Sequence, residues 1–259
     1  MNNVFALAGV VIKELYRRKD FYVLFVMIGL ITLILGSVNL FNDDEIIRYL
    51  KEICLLLIWI SSLVMAITTA ARQIPAERES RTIFPLLAKP VSRAQLIAGK
   101  FMGCWLACGA ALVCFYLFYG VIVASREHSF AIIQFLQAIW LHWACLGVVT
   151  AMVLLGSVVF TAPSSNATIC FIIVVGLLFV GQYLNRIATN IAGIPGTIVH
   201  ALYFLIPHLE FFDIRNIIIH DWPPVNVFAV AGATLYAALY AFMLLSIAWG
   251  IFRRKALTL

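Results

Sequence analysis

Few side chains in this sequence are placed to do chemistry, and the first is His142, set between Leu141 and Trp143 in the apolar run AIWLHWACLG. An imidazole there can ligate a metal or hydrogen-bond a neighbouring helix. Bis-histidine haem ligation needs a second buried ring, and the nearest candidate, His200, falls in a segment read below as outside the membrane. Cys104 and Cys108 are four residues apart, about 40° on a helical wheel, so they share a face; Cys114 sits about 80° from Cys104 on the other side. A thiolate pair can pass a soft metal ion, but in lipid it wants a charged partner, and none is near. As small residues beside Gly99, Gly103 and Ala107, the same cysteines suit close helix packing, and that reading is favoured. Outside the apolar runs, Glu210, Asp213 and Arg215 in IPHLEFFDIRN can contact a substrate or an extracytoplasmic partner, or form a solvated rim; the uncharged Ser164-to-Asn166 loop is the other polar candidate.

Enzyme motifs are missing from the sequence. It has no H-E-x-x-H, no G-x-S-x-G and no G-x-x-x-x-G-K-[ST], and Leu155-Gly156-Ser157-Val158 reads as a helix-packing site. The expectation is a chain without a catalytic site, bound metal or nucleotide of its own.

These residues are held by apolar runs. At 64% hydrophobic and 12% charged residues, with mean hydropathy +1.03, the 259-residue chain reads as an all-α integral membrane protein with one domain. The formal charge of +6 does not suggest nucleic acid, because the basic residues gather beside apolar runs and form no aromatic-interleaved stripe. The six cysteines lie in or beside those runs, so no disulfide framework is expected. Residues 1–20 place Phe5, Ala8, Ile12 and Tyr16 at helical spacing and predict an interfacial helix on the cytoplasmic surface. Its charges follow its apolar stretch, the reverse of a cleavable signal. Six spans follow at about 21–40, 53–71, 101–124, 131–160, 169–183 and 225–252, with a cytoplasmic loop at 72–100 and an extracytoplasmic segment at 184–224. Within that segment, 197–206 is apolar for only about ten residues, which suits a re-entrant or interfacial helix. Thirteen of the 18 Lys and Arg fall on the side that holds both termini, and the acids run the other way, so both termini are predicted to be cytoplasmic. Every Asp, Glu, Lys and Arg lies outside the predicted spans, which argues against a self-powered transporter.

The loop is the longest charged stretch, and it ends in a complete helix start. Pro90 terminates what precedes it, Ser92 can cap, Gln95 can bond back to the Ser92 amide, and Val91 can pack on Leu96. From Glu77 to Lys100 the sequence reads E-x-E-S-R-T-I-x-x-L-L-x-K-P-V-S-R-x-x-x-x-x-G-K. This closely resembles the cytoplasmic segment of type 2 ATP-binding-cassette (ABC) exporter permeases, particularly the half-size six-span bacterial kind. The motif covers about a tenth of the chain, and the topology agrees. Ser80 and Arg81 stand where many members carry Gly before the Thr, and Pro85 falls inside the segment that should be the coupling helix.

The resemblance implies a permease subunit in the bacterial inner membrane, paired with a second permease chain. It would dock on a separate cytoplasmic ATPase that holds the ATP and Mg. It places a coupling helix within Ala76 to Leu87 and assigns contact with the ATPase to Glu77, Glu79, Arg81, Thr82, Ile83, Leu86, Leu87, Pro90, Ser92 and Arg93. Glu77 and Arg81 are spaced i, i+4, and Ile83, Leu86 and Leu87 offer an apolar face. The alternative is a membrane scaffold, driven by the same ATPase, that acts on an extracytoplasmic protein without carrying a solute.

Overall fold

The computed structural model describes residues 2–17, 44–79, 92–126, 131–190 and 206–254, together with Tyr22, Val26, Gly29 and Leu30. Every regular element among them is helical: α1 (Asn2–Tyr16), α2 (Asp44–Ala71), α3 (Pro75–Glu79), α4 (Arg93–Arg126), α5 (Ile132–Val159), α6 (Pro163–Asn190), a 3-10 turn (Leu209–Phe212), α7 (Arg215–Ile219) and α8 (Val227–Arg254). Among the described residues, four stretches are long and apolar enough to cross a membrane: Arg48–Glu79, Arg93–Ala124, Ile132–Val159 and Val227–Arg254. All but four residues of the first predicted span, 21–40, and nearly all of the short apolar piece at 197–206 lie outside the described residues.

The bundle is built around α5. Its residues from Ala144 to Ala151 are buried without a break, as expected of a helix apolar on all sides. Helices α2, α4, α6 and α8 all pack on it. Side-chain size decides how closely. Trp105 of α4 and Trp143 of α5 stack with ring centroids 4.5 Å apart. The Trp105 indole donates to the Trp143 carbonyl at 2.9 Å, and the Trp143 indole donates to the Trp105 carbonyl at 3.1 Å. Each ring lies on a glycine of the facing helix, Trp143 on Gly109 and Trp105 on Gly147. The two W-x-x-x-G segments thus form one reciprocal, antiparallel lock, and a Cβ at Gly109 would collide with the Trp143 ring.

Helix α8 is more peripheral. It buries Ala237, Ala241, Ala248 and Phe252, and turns Phe228, Leu235, Leu239 and Phe242 outward. Its start is pinned to α5 by a reciprocal amide pair: the Gln137 side chain donates to the Val225 carbonyl at 2.8 Å and accepts from the Val225 N–H at 3.0 Å.

Of the predicted α1 stripe, Ala8 is buried together with Val11 and Leu15, while Phe5, Ile12 and Tyr16 are exposed, the side that an interfacial helix would turn to a membrane surface. The cause is on α4, where Gly99 and Gly103 bring the α1 backbone so close that a Cβ on either would lie 2.6 Å from Leu7 or Val11. Leu7, Ala8 and Val11 occupy this close approach, and Phe5, Ile12 and Tyr16 lie on the other side of the helix. The segment 161–168 is not a polar loop: α6 starts at Pro163, a residue suited to a first helical turn, and runs through the predicted span five to Asn190. Residues 184–190 therefore extend that helix instead of opening the extracytoplasmic segment.

Candidate functional site

The first two turns of α4 are where the charged segment, the N-terminal helix and the last helix meet. The capping box forms as its spacing requires: the Gln95 N–H donates to Ser92 Oγ at 3.2 Å, and the Ser92 N–H donates to Gln95 Oε1 at 3.0 Å. Helix α4 then runs unbroken for 34 residues, about 50 Å, so its base and its membrane-crossing part form one rod.

Three ties hold this base. Gly99 and Gly103 seat α1. Arg93 donates through Nη1 to the carbonyls of Phe252 at 2.6 Å and Arg253 at 3.1 Å, and its guanidinium lies 5.4 Å from the Phe252 ring. These are carbonyls of the last turn of α8, where a cation is favoured. Lys100, with its side chain only 4% exposed, forms an ion pair with Glu77 of α3. Ile74 and Pro75, just before that glutamate, are buried against the same end of the bundle.

This arrangement divides the predicted contact residues. Glu77 and Arg93 point into the protein and make internal ties, and Ser92 caps α4. Glu79 is exposed at the end of α3. Arg81, Thr82, Ile83, Leu86, Leu87 and Pro90 lie outside the described residues, as does Pro85. The sequence reading passed over Arg78, whose Nε and Nη2 are buried without a hydrogen-bond partner among the described residues. Nothing in its spacing marks it out from the other basic residues of the loop.

Beside α3, a cavity of about 380 Å³ opens between Thr68, Arg72, Ala76 and Glu79 on one wall and Pro163, Ser164 and Ala167 at the start of α6 on the other. Asn166, which the sequence placed in a loop, is fully buried behind it. It donates to the carbonyls of Ala71 at 3.3 Å and Val153 at 3.2 Å, and Cys170 donates to its Oδ1 at 3.2 Å. Since Ala71 ends α2, Asn166 satisfies a carbonyl that the helix leaves open. A Cβ at Gly156 would meet the same amide, so this glycine makes room for the join.

At the other end, Asp213 and Arg215 bond each other in a fork, Nε to Oδ1 at 2.8 Å and Nη2 to Oδ2 at 2.6 Å, and the guanidinium lies 5.4 Å from the Trp59 ring. Burial alone would lower the Arg215 pKa; the hydrogen bonds and charge of Asp213 outweigh it and raise the value. Glu210 accepts from or pairs with His208 at 3.2 Å. These three residues form local pairs over the ends of α2, α5 and α6 and do not converge on a common point.

His142 is buried, with Nε2 2.7 Å from Ser62 Oγ and Nδ1 3.4 Å from Tyr116 OH. It joins α2, α4 and α5, the role that its apolar flanks favoured. Cys104 and Cys108 are buried and Cys114 is exposed, as the helical wheel required, and Cys108 Sγ lies 3.8 Å from Thr69 Oγ1. No group of three or more His, Cys, Asp or Glu among the described residues is arranged to hold a metal ion.

A comparison with curated proteins finds no match. A family model described as ABC-2 family transporter protein matches residues 17–256, nearly the whole chain. With membrane-capable helices and a family match over this length, the chain belongs to the ABC-2 transporter family, as a multi-pass membrane permease subunit of an ABC transporter whose ATPase is a partner protein.

Proposed function

We propose that this subunit couples ATP hydrolysis on the partner ATPase to export across a bacterial inner membrane. In this reading two permease chains form the path, both termini are cytoplasmic, and the segment from Ala76 to Leu87 seats in a groove of the ATPase. The ATP and Mg belong to that partner. The observation that carries the reading is the convergence on the base of α4: the docking segment starts from α3, which Glu77 ties to Lys100, and it ends at the Ser92 cap of the same helix. Force on residues 80–91 therefore reaches one rigid rod at both ends of the segment.

The docking contacts divide by role. Glu79, exposed at the end of α3, and Arg81 are the charged residues offered to the ATPase, and Ile83, Leu86 and Leu87 with Thr82 supply the rest of the contact. Glu77, Ser92 and Arg93 position the segment. Co-purification tests this division with the permease and an ATPase carrying the G-x-x-x-x-G-K-[ST] motif. Glu79→Lys with Arg81→Glu is expected to abolish association while the permease elutes and melts as before. Unchanged association and unchanged ATP-dependent transport in that variant would remove the docking assignment.

A further inference from the structure

A second cavity, of about 310 Å³, lies between α4, α5 and α8, away from the docking segment. Its floor is made of small residues, among them Ala144, Gly147 and Ala241, and Trp105, Trp140 and Trp143 form its walls. All three indole N–H groups are already used: Trp105 and Trp143 donate to each other's carbonyls, and Trp140 donates to Thr234 Oγ1 at 2.9 Å. The Thr234 hydroxyl in turn donates to the Val230 carbonyl at 2.8 Å. The cleft thus presents hydrocarbon and ring faces with no spare donor, so its occupant is apolar where it touches these walls. At this volume a helix about 10 Å across does not fit, whereas a slender chain does.

One end of the same helices is basic. Arg253 and Arg254 are exposed in the last turn of α8, and Arg93 of α4 is bonded to that turn. Leu245 and Phe101, the lining residues nearest this end, are each eight residues from Arg253 and Arg93, about 12 Å along their helices. These two residues fall within the roughly 15 Å hydrocarbon depth of one leaflet, and the cleft continues past Trp105 and Ala241, about 18 Å from the arginines, toward the bilayer midplane and beyond it to Thr234. We propose that the cleft holds the distal part of one acyl chain of an anionic phospholipid whose phosphate lies at Arg253 and Arg254. The apolar walls select a hydrocarbon chain, and the paired arginines select a negative headgroup. The site needs no partner ATPase, so it stands or falls apart from the docking reading.

The test uses the full-length protein in bilayers, with Trp222→Phe and Trp249→Phe to remove exposed tryptophans outside the cleft. Phosphatidylglycerol with brominated acyl chains is titrated against brominated phosphatidylcholine, and tryptophan fluorescence is read. The anionic lipid is expected to bind at least about fivefold more tightly, the preference due to one engaged arginine. Ala238→Phe, which fills the cleft from its exposed rim, should lose the saturable quenching and leave only the background that bulk lipid gives. Arg253→Gln with Arg254→Gln should keep the quenching but bring the two headgroups to equal affinity. Equal affinity for both lipids in the parent protein, or saturable quenching that survives Ala238→Phe in a protein that elutes normally, overturns the proposal. Headgroup preference that survives the arginine substitutions overturns the placement of the phosphate.

Discussion

Glu77→Gln is the perturbation that asks most directly whether α3 is tied to α4. In the folded protein it removes the carboxylate facing Lys100, whose side chain is 4% exposed against 16% for Glu77. Breaking a buried ion pair at one partner costs about 3–5 kcal/mol, because the other charge is left in a poor solvent. Water reaches the glutamate here, so the low end, about 3 kcal/mol, is expected; for a chain of this size that is a fall of about 6–12 °C in Tm. The double variant Glu77→Gln, Lys100→Met removes both charges and should recover most of the loss, to within about 1 kcal/mol of the parent. The assay is thermal unfolding of the purified permease in detergent, followed by ATP-dependent transport with the partner ATPase. Glu77→Gln should still bind the ATPase and should transport poorly. A Tm within about 2 °C of the parent, or single and double effects that simply add, would show that the pair does not hold α3 in place.

Five other variants follow from the packing. Asn166→Ala opens the Ala71 carbonyl and should cost about 1–2 kcal/mol, seen as a lower Tm; Asn166→Asp should be worse at neutral pH and improve as the pH falls, because burial raises the folded-state pKa of the carboxyl above its unfolded value and stability is lost as pH rises between the two. Gly103→Leu should displace α1, costing about 1–3 kcal/mol, and should expose residues 2–16 to added protease. Gln137→Leu removes both bonds to Val225 and should lower stability by about 1–2 kcal/mol, with hydrogen exchange at the start of α8 as the readout. A variant with Cys104→Ala, Cys108→Ala and His142→Phe should keep transport near the parental rate; a loss of tenfold or more in a folded protein would restore a metal or proton role for these residues.

What the sequence revealed and what it hid have different physical origins. The Ser92 cap was legible because a capping box is local: its two hydrogen bonds join residues three apart, and no distant partner is needed. The pairing of Cys104 with Cys108 and the separation of Cys114 followed from the helical repeat alone. The buried face of α1 was not legible, because Phe5, Ile12 and Tyr16 make as good a stripe as Ala8, Val11 and Leu15. The choice between them is made by Gly99 and Gly103 on another helix. Asn166 failed for a related reason: a polar run without charge looks like a loop until the Ala71 carbonyl that it serves is seen. The W-x-x-x-G segments at 105–109 and 143–147 could be read in the sequence, but two such matches do not show that they interlock. Arg78 and the charges of 72–100 show the same limit, since composition places them on one side of a membrane without saying which point inward.

Two lysines that are buried among the described residues, Lys51 and Lys100, bear on how a push on the docking segment would travel. Lys51, in α2, is 2% exposed and bonds Asp221 at 3.1 Å, in the turn just ahead of α8. Asp221 takes a left-handed backbone, φ 51°, that aspartate tolerates better than most residues. Lys100 holds α3 at the other end, where Arg93 also grips the last turn of α8. Helix α8 is therefore tied at its base to α4 and at its far end to α2, and Gln137 fixes its start to α5. Along its length it also packs Val230, Tyr236, Tyr240 and Leu244 against the bundle, and Trp140 bonds Thr234, so it would move as one body with these contacts. On the coupling reading, motion of the α4 base then reaches α8 through the Arg93 contact, and α8 pivots on its far end. Arg93→Ala should accordingly leave ATPase binding intact and reduce transport, while Lys51→Met with Asp221→Asn should loosen the pivot without touching the docking surface. If Arg93→Ala transports at the parental rate, α8 does not receive its motion through this contact.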